Sequence, residues 1–211
     1  MLLGHGITTP KFYVPKHGHS LHNQLEPVRK KLRAPWIVKP ISGGSSIGTR
    51  LIENEEQVRD FYENPVDPKY PVFVEEFIKG RIFTVGILEL EFSLAVFPIV
   101  EALLDTRFYD EDVKLDEKGE GRVCYQVPAQ LDSTLSEDIQ HISANIHDFL
   151  GCRGFSRIDF ILDESSKHYV LEINTIPGIS LDSNFVAGAT ALGLSYDEMI
   201  LAMLRSCLWE K

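Results

Sequence analysis

The sequence predicts a mixed α/β fold. Two observations carry that reading. Short runs of β-branched and aromatic residues, bounded by Gly, Pro, Asp and Ser, recur from Lys11 to Ile173. An amphipathic helical stripe interrupts them at 133–150, and two more helices close the chain. The 211 residues, 44% hydrophobic and 25% charged, suffice for one large domain or two small ones. A core of that size needs neither disulfides nor a structural metal.

In chain order, Lys11–Val14 reads as a short strand after the turn signal Thr8-Thr9-Pro10. Residues 15–34 are polar and basic, and His17, His19 and His22 read as a solvated loop or helix face. Trp36–Pro40 is a buried-type strand that stops at proline, followed by the flexible loop Ile41–Gly48 and a strand at Thr49–Ile52. Glu53–Asn64 is a helix with Asn54 as its N-cap and Val58, Phe61 and Tyr62 on its apolar side. Val72–Ile78 is a strand, Lys79-Gly80-Arg81 a turn, Ile82–Leu88 a strand, and Phe92–Ile99 continues the sheet as a meander. Residues 105–121 hold little apolar content and suggest a lid or binding loop. Leu135, Ile139, Ile142, Ile146 and Phe149 form the stripe of helix 133–150. Phe155–Leu162 and His168–Ile173 are strands joined by the turn 163–167, and a Pro/Gly/Ser loop spans 174–183. Helices follow at Val186–Leu192 and, capped by Ser195, at Tyr196–Leu208.

Asp and Glu number 31 against 21 Lys and Arg, a formal net charge of -10. Such a chain has little bulk attraction for nucleic acid or an anionic membrane, so neither is expected as a partner. An anion must be held locally, by a few placed cations and backbone N–H groups. Cys124, Cys152 and Cys207 are widely spaced, with no CxxC, and read as reduced thiols of a cytoplasmic protein. The opening residues lack the basic and apolar regions of a leader. Glu89, Glu91, Pro98 and Glu101 interrupt the most apolar stretch, which falls short of the ~18 apolar residues of a membrane helix.

Three segments carry chemistry. Side chains alternate along a strand, so Arg157 and Asp159 share one face, as do Glu172 and Asn174. If the two strands pair as a hairpin, Asp159, Glu172 and Asn174 converge as oxygen ligands suited to Mg²⁺. The alternative is a sheet with one solvated face, where such alternation is routine. The loop Gly43-Gly44-Ser45-Ser46-Ile47-Gly48 offers amides and hydroxyls to a phosphate chain, with Lys39 just before it as a point charge. It is neither a P-loop nor GxGxxG, and alone it reads as a plain turn rather than a phosphate loop.

The combination is more specific than its parts. It comprises Ile37-Val38-Lys39-Pro40, Gly44–Gly48, Val74-Glu75-Glu76-Phe77-Ile78, Phe83-Thr84-Val85, Phe108-Tyr109-Asp110 with Lys114, Cys152–Asp159 and Leu171–Gly178. In that order these segments resemble the D-alanine–D-alanine ligases of the ATP-grasp superfamily, from about Gly6 to the last helix. The resemblance implies an ATP-grasp fold of two α/β lobes that enclose a nucleotide cleft. All of 1–211 is then the ATP-grasp region. Approximately 36–80 forms a small nucleotide-clamping lobe, and the remainder, mainly 81–211, a large metal-binding catalytic lobe.

By the same resemblance, Lys39 contacts the nucleotide phosphates, and Ser45 and Ser46 cover them. Ser45 also orients the first substrate. Glu75 meets the adenine amino group, with Glu76, Phe77 and Ile78 supplying further adenine contacts. Lys114 reaches the γ-phosphate from the lid. Asp159, Glu172 and Asn174 hold Mg²⁺, with Mn²⁺ as a substitute. Arg157 stabilises the tetrahedral intermediate beside the backbone of Gly178, and Ser183 receives the carboxylate of the second amino acid. The implied activity is an ATP-dependent carboxylate–amine ligation through an acyl phosphate, forming a C–N peptide bond in peptidoglycan biosynthesis. Amino acids are the implied substrates, and a homodimer is compatible with the family.

Four departures from the family pattern stand out. Ile82 occupies the place of a glutamate that holds the ribose hydroxyls. Tyrosines near Glu111 and Leu115 are missing, so Ser45 lacks its hydroxyl partner. A further phosphate-binding lysine and a whole N-terminal domain, which anchors the first ammonium group, precede the position of Met1. A partner chain or domain would have to supply that part. The alternative function is a catalytically weak or silent nucleotide-binding interaction module, and a third reading is a generic α/β domain.

Overall fold

The computed structural model describes residues 1–15, 25–42, 44, 46–54, 56–57, 60–61, 71–104 and 123–208. The chain divides into two compact units. The smaller is built on Pro10–Ile78, the larger on Met1–Thr9, Lys79–Leu103 and Cys124–Lys211.

The smaller unit is a four-stranded sheet in the order β1-β4-β2-β3, with β1 Phe12–Tyr13, β2 Trp36–Pro40, β3 Arg50–Ile52 and β4 Val72–Glu76. All of its pairings are antiparallel. β2 is an inner strand, which is why Trp36, Ile37 and Val38 are all buried. Pro40, lacking an N–H, ends it. Trp36, Val38 and Val74 face a core shared with Val28, Leu32, Ile52 and Phe61, next to helix α1 at Leu25–Lys31. Ile37, Lys39 and Glu75 alternate to the opposite face. Asn54 does act as a cap, its Oδ1 accepting from the Gln57 N–H at 3.0 Å. The expectations for His17, His19, His22, Val58 and Tyr62 lie outside the described residues.

The larger unit is a six-stranded sheet in the order β10-β9-β5-β7-β8, with β6 also paired to β5. Its spine is β5, Gly80–Leu90, paired from Gly80 to Leu88 with β9, Phe155–Asp163. The other edge of β5 is shared. β7, Val100–Leu104, pairs with Ile82–Thr84, and β6, Ser93–Val96, pairs with Ile87–Leu90. The expected meander through Ile99 therefore stops at Val96. There Phe97 turns inward, its N–H donating to the Gly86 carbonyl at 2.9 Å, and Pro98 follows. β7 and β8, Val123–Gln126, are strands that the sequence reading omits. β10, His168–Asn174, forms the hairpin with β9.

The two faces of this sheet differ. Phe83, Val85, Ile158, Phe160 and Val170 face helix α2, Ser133–Phe149, which buries Ile139 and Ile146 against them. The Asp132 side chain caps α2 by accepting from the Leu135 N–H at 2.9 Å. On the opposite face Leu88 and Phe97 meet Phe185, Val186 and Ala189 of α3, Asn184–Ala191, and Met199 and Met203 of α4, Tyr196–Ser206. α4 starts with a full capping box between Ser195 and Glu198. Part of this second face carries charged side chains.

His168, at the start of β10, has its ring edge-on to Phe160 at 6.4 Å between centroids. Burial lowers its pKa, against a smaller opposing pull from Asp138. The folded pKa lies below the ordinary value of 6.5, so the unfolded chain binds the proton more readily. The stability held by neutral His168 is complete above that value and is lost as pH falls through it. His168→Gln is expected to flatten this part of the stability–pH curve, measured by urea unfolding between neutral and mildly acidic pH. An unchanged slope would contradict the assignment.

Candidate active site

The charged patch of the larger unit begins with strand alternation. Arg157 and Asp159 point the same way from β9, opposite Gly86 and Thr84 of β5. Glu172 lies directly across from Asp159, and Asn174 across from Arg157. That register depends on a β-bulge. Val170 pairs with Phe160 and Glu172 with Asp159, so Leu171 is an extra residue. A regular ladder would set Glu172 opposite Ile158, on the α2 side. The bulge returns Glu172 and Asn174 to the face of Arg157.

The guanidinium of Arg157 grips Asp159 with two parallel bonds, Nε to Oδ1 at 2.8 Å and Nη2 to Oδ2 at 2.7 Å. Glu172 Oε1 lies 3.6 Å from the same Nη2. Arg157 is 6% exposed and Asp159 9%, whereas the Glu172 side chain is 52% exposed. A buried ion pair thus borders an accessible carboxylate. Thr84 Oγ1 donates to Asp159 Oδ1 at 3.1 Å, Asn184 Nδ2 donates to Thr84 Oγ1 at 3.2 Å, and Arg157 Nη1 donates to Asn184 Oδ1 at 3.4 Å. Thr84 and Asn184 are site residues that the sequence reading did not assign. The strand register, which sets Thr84 opposite Asp159, is the signal that finds the first.

Two carboxylates and an amide in adjacent register are an all-oxygen donor set that suits a hard divalent cation. Among the described residues no cluster of three or more His, Cys, Asp or Glu could hold a metal. A cation here would therefore take its remaining ligands from water or from oxygens of a bound molecule. The half-exposed Glu172 leaves that access open, so the donor set fits.

Gly178 is exposed in the loop after β10, and a Cβ there would touch nothing within 4 Å. Ser183 caps α3, its Oγ accepting from the Val186 N–H at 3.3 Å. Its hydroxyl hydrogen can still donate to a carboxylate, since a hydroxyl does both.

In the smaller unit Lys39 Nζ pairs with Glu75 Oε1 on the face turned away from the core. The Glu76 N–H donates to the Lys11 carbonyl at 2.9 Å and the Phe77 N–H to the Pro35 carbonyl at 3.0 Å. Donation from either group to a purine would require breaking that bond. Ile78 follows the strand and is half-buried. After β2 the chain makes two tight turns, Ile47 N–H to Gly44 carbonyl at 3.0 Å and Thr49 N–H to Ser46 carbonyl at 2.9 Å. Ser46 takes φ 61° and Gly48 φ 74°. Ser45, Lys114 and the expected lid at 105–121 lie outside the described residues.

The antiparallel sheets, their helices and their order along the chain define an ATP-grasp protein. The chain belongs to the family described as D-ala D-ala ligase C-terminus, whose model matches residues 1–205. It is 32% identical over 194 residues to a D-alanine–D-alanine ligase of Fervidobacterium nodosum, covering 92% of this chain and 60% of that one. It is 33% identical over 204 residues to the Syntrophotalea carbinolica ligase, covering 97% and 62%. The chain thus spans about three fifths of the length of the curated relatives it matches. Among solved structures, the VanG D-Ala:D-Ser ligase from Enterococcus faecalis superposes with a TM-score of 0.78 at 25% identity, covering 97% of this chain and 58% of that one. The Bacillus anthracis D-alanine–D-alanine ligase complexed with ATP gives 0.77 at 22%, covering 98% and 62%.

Proposed function

We propose that the chain is the nucleotide-binding and catalytic part of an ATP-dependent carboxylate–amine ligase, joining D-alanine to D-alanine or a related pair. It would act together with the portion of its relatives that it does not span. The observation that carries this reading is the register of β9 and β10, which lines up Arg157, Asp159, Glu172 and Asn174 on one face. In this scheme a carboxylate oxygen attacks the γ-phosphorus of ATP, ADP leaves, and an acyl phosphate forms. The amine nitrogen of the second amino acid then attacks the acyl carbon, and phosphate leaves. Arg157, aided by the Gly178 backbone, donates to the oxyanion of the tetrahedral intermediate. Ser183 receives the carboxylate of the amine substrate.

Lys39, Ser45, Ser46 and Lys114 would bind phosphates, and Glu75, Glu76, Phe77 and Ile78 the base. On this reading the smaller unit is the nucleotide clamp and the larger the catalytic lobe. Asp159, Glu172 and Asn174 would hold Mg²⁺ or Mn²⁺, which when bound supplies neutralising charge to the transferred phosphoryl group. The product would enter peptidoglycan synthesis in the cytoplasm. No helix of the described residues is long and apolar enough to cross a membrane.

A second reading, a catalytically silent nucleotide-binding module, is favoured by one position. Ile82 sits between Ala102 and Ile161 in register and on the same face as Thr84, and it offers no acceptor to a sugar hydroxyl.

Millimolar MgATP is expected to raise the melting temperature. A ligand at a hundred times its Kd stabilises by about 2.7 kcal/mol. Glu172→Gln should remove the Mg²⁺-dependent part of the shift and leave the fold intact, because that side chain is half exposed. Absence of any shift would overturn nucleotide binding by this chain. A shift without D-alanine-dependent phosphate release, even with the rest of a relative supplied, would select the silent module.

A further inference from the structure

We propose that Asn184, acting with Thr84, is a positioning residue that sets the guanidinium plane of Arg157 before any substrate arrives. The proposal rests on the reading of Arg157 as the oxyanion donor.

The four side chains close a circuit. Arg157 donates to Asp159 through Nε and Nη2 and to Asn184 through Nη1. Asn184 donates to Thr84, and Thr84 to Asp159. Every polarity in this loop agrees. The single hydroxyl hydrogen of Thr84 goes to the carboxylate, and its lone pair takes the amide N–H. Reversing the Asn184 amide would set an NH₂ against the guanidinium and an oxygen against the lone pairs of Thr84, so the circuit fixes the amide orientation. Chains of this kind polarise one another, and the surroundings are nearly dry: Thr84 is 4% exposed and Arg157 6%.

The bidentate grip of Asp159 alone would leave the ion pair free to swing as one plane about the aspartate side chain. Thr84 stops that swing at one end, by holding Oδ1. Asn184 stops it at the other, by holding Nη1. Asn184 is itself well anchored. It is the first residue of α3, directly after the Ser183 cap, and the next two residues, Phe185 and Val186, are buried. The circuit therefore ties three elements, β5, β9 and α3, to one guanidinium. Both ends of the Asn184 amide are engaged within it, so the residue acts through Arg157 and not by touching substrate.

The test uses nuclear magnetic resonance on this chain, following rotation of the Arg157 Nη groups, assigned by their disappearance in Arg157→Lys. In Asn184→Leu the rotation should speed up on the order of tenfold, the equivalent of one hydrogen bond to a charged group. Thr84→Val should give a similar change, and Asn184→Asp, which keeps the acceptor for Nη1 but sets an oxygen against Thr84 Oγ1, should give rotation slower than Asn184→Leu and faster than the wild type. Asn184→Ser, a smaller change, serves if the leucine variant unfolds. In the ligase assembled with the portion of a relative that this chain does not span, Asn184→Leu should lower kcat by a comparable factor and leave KM for ATP unchanged. Equal rotation rates in wild type, Asn184→Leu and Asn184→Ser overturn the proposal, as does faster rotation with kcat unmoved. Failure of the ligase reading shows elsewhere, in a wild type without D-alanine-dependent phosphate release.

Discussion

Asp159→Ala is expected to destabilise the larger unit by about 3–5 kcal/mol, the usual consequence of leaving one partner of a buried ion pair uncompensated. Arg157 is 6% exposed and gives two of its bonds to this carboxylate, at 2.8 and 2.7 Å. Without it the guanidinium is left in a dry site, where Glu172 is the other anion of the patch, at 3.6 Å from Nη2. Thr84 also loses the acceptor for its hydroxyl. The loss should vary little with salt, because a buried pair is poorly screened. Asp159→Asn keeps the volume and one oxygen, and should cost less in stability than Asp159→Ala. Both variants should lose the Mg²⁺-dependent part of nucleotide binding. Urea unfolding measures the first effect, and a loss below about 1 kcal/mol for Asp159→Ala would show that the pair is effectively solvated.

Gly86→Val should be comparably damaging for a steric reason. Gly86 lies on β5 opposite Arg157, where the charged and apolar parts of the face meet. A Cβ there would overlap the Phe97 ring at Cδ2, and it would lie 2.9 Å from Phe97 Cε2 and 3.1 Å from Phe185 Cδ2. Both rings are fully buried, with centroids 5.0 Å apart, so neither can move aside without opening the core. Overpacking of this kind typically costs 1–3 kcal/mol and occasionally more, and about 3 kcal/mol is expected here. The displaced helix is α3, so Ser183 and Asn184 should shift with it. Gly178→Ala is the control, since nothing lies within 4 Å of the added methyl. Its melting temperature should match the wild type. A stable, unperturbed Gly86→Val would contradict the packing described for this face.

The strands that carry the site were legible because their composition is extreme. Arg157-Ile158-Asp159-Phe160 alternates charged and apolar residues without a break, and Leu171-Glu172-Ile173-Asn174 repeats the pattern. Trp36–Pro40, helix 133–149 and the Ser195 cap were legible for the same reason of strong local signals. β7 was not, because Val100-Glu101-Ala102 carries a buried glutamate whose partner, Arg81, lies on another strand. Arg81 holds Glu101 with two bonds of 2.7 Å, which makes an apparently polar position a core one. Asn184 was not legible because it is an ordinary polar residue just after a cap. Its role exists only once α3 packs beside β5 and β9. The division at the smaller unit also differs in detail from the sequence reading. Pro10–Tyr13 joins it because β1, itself legible as a strand, pairs with β4, a distant partner that local pattern does not name.

The bulge at Leu171 has a bearing on how this chain tolerates change in length. Removing Leu171 turns an irregular ladder into a regular one and leaves Glu172 opposite Asp159 and Asn174 opposite Arg157. Removing Ile173 instead puts Asn174 where the core side chain of that strand belongs and brings Thr175 into its place opposite Arg157. The hairpin therefore contains one position at which a deletion is silent for register, next to positions at which it is ruinous. Length variation among sequences of this kind should concentrate at that single residue, with the charged positions on either side of the hairpin keeping step.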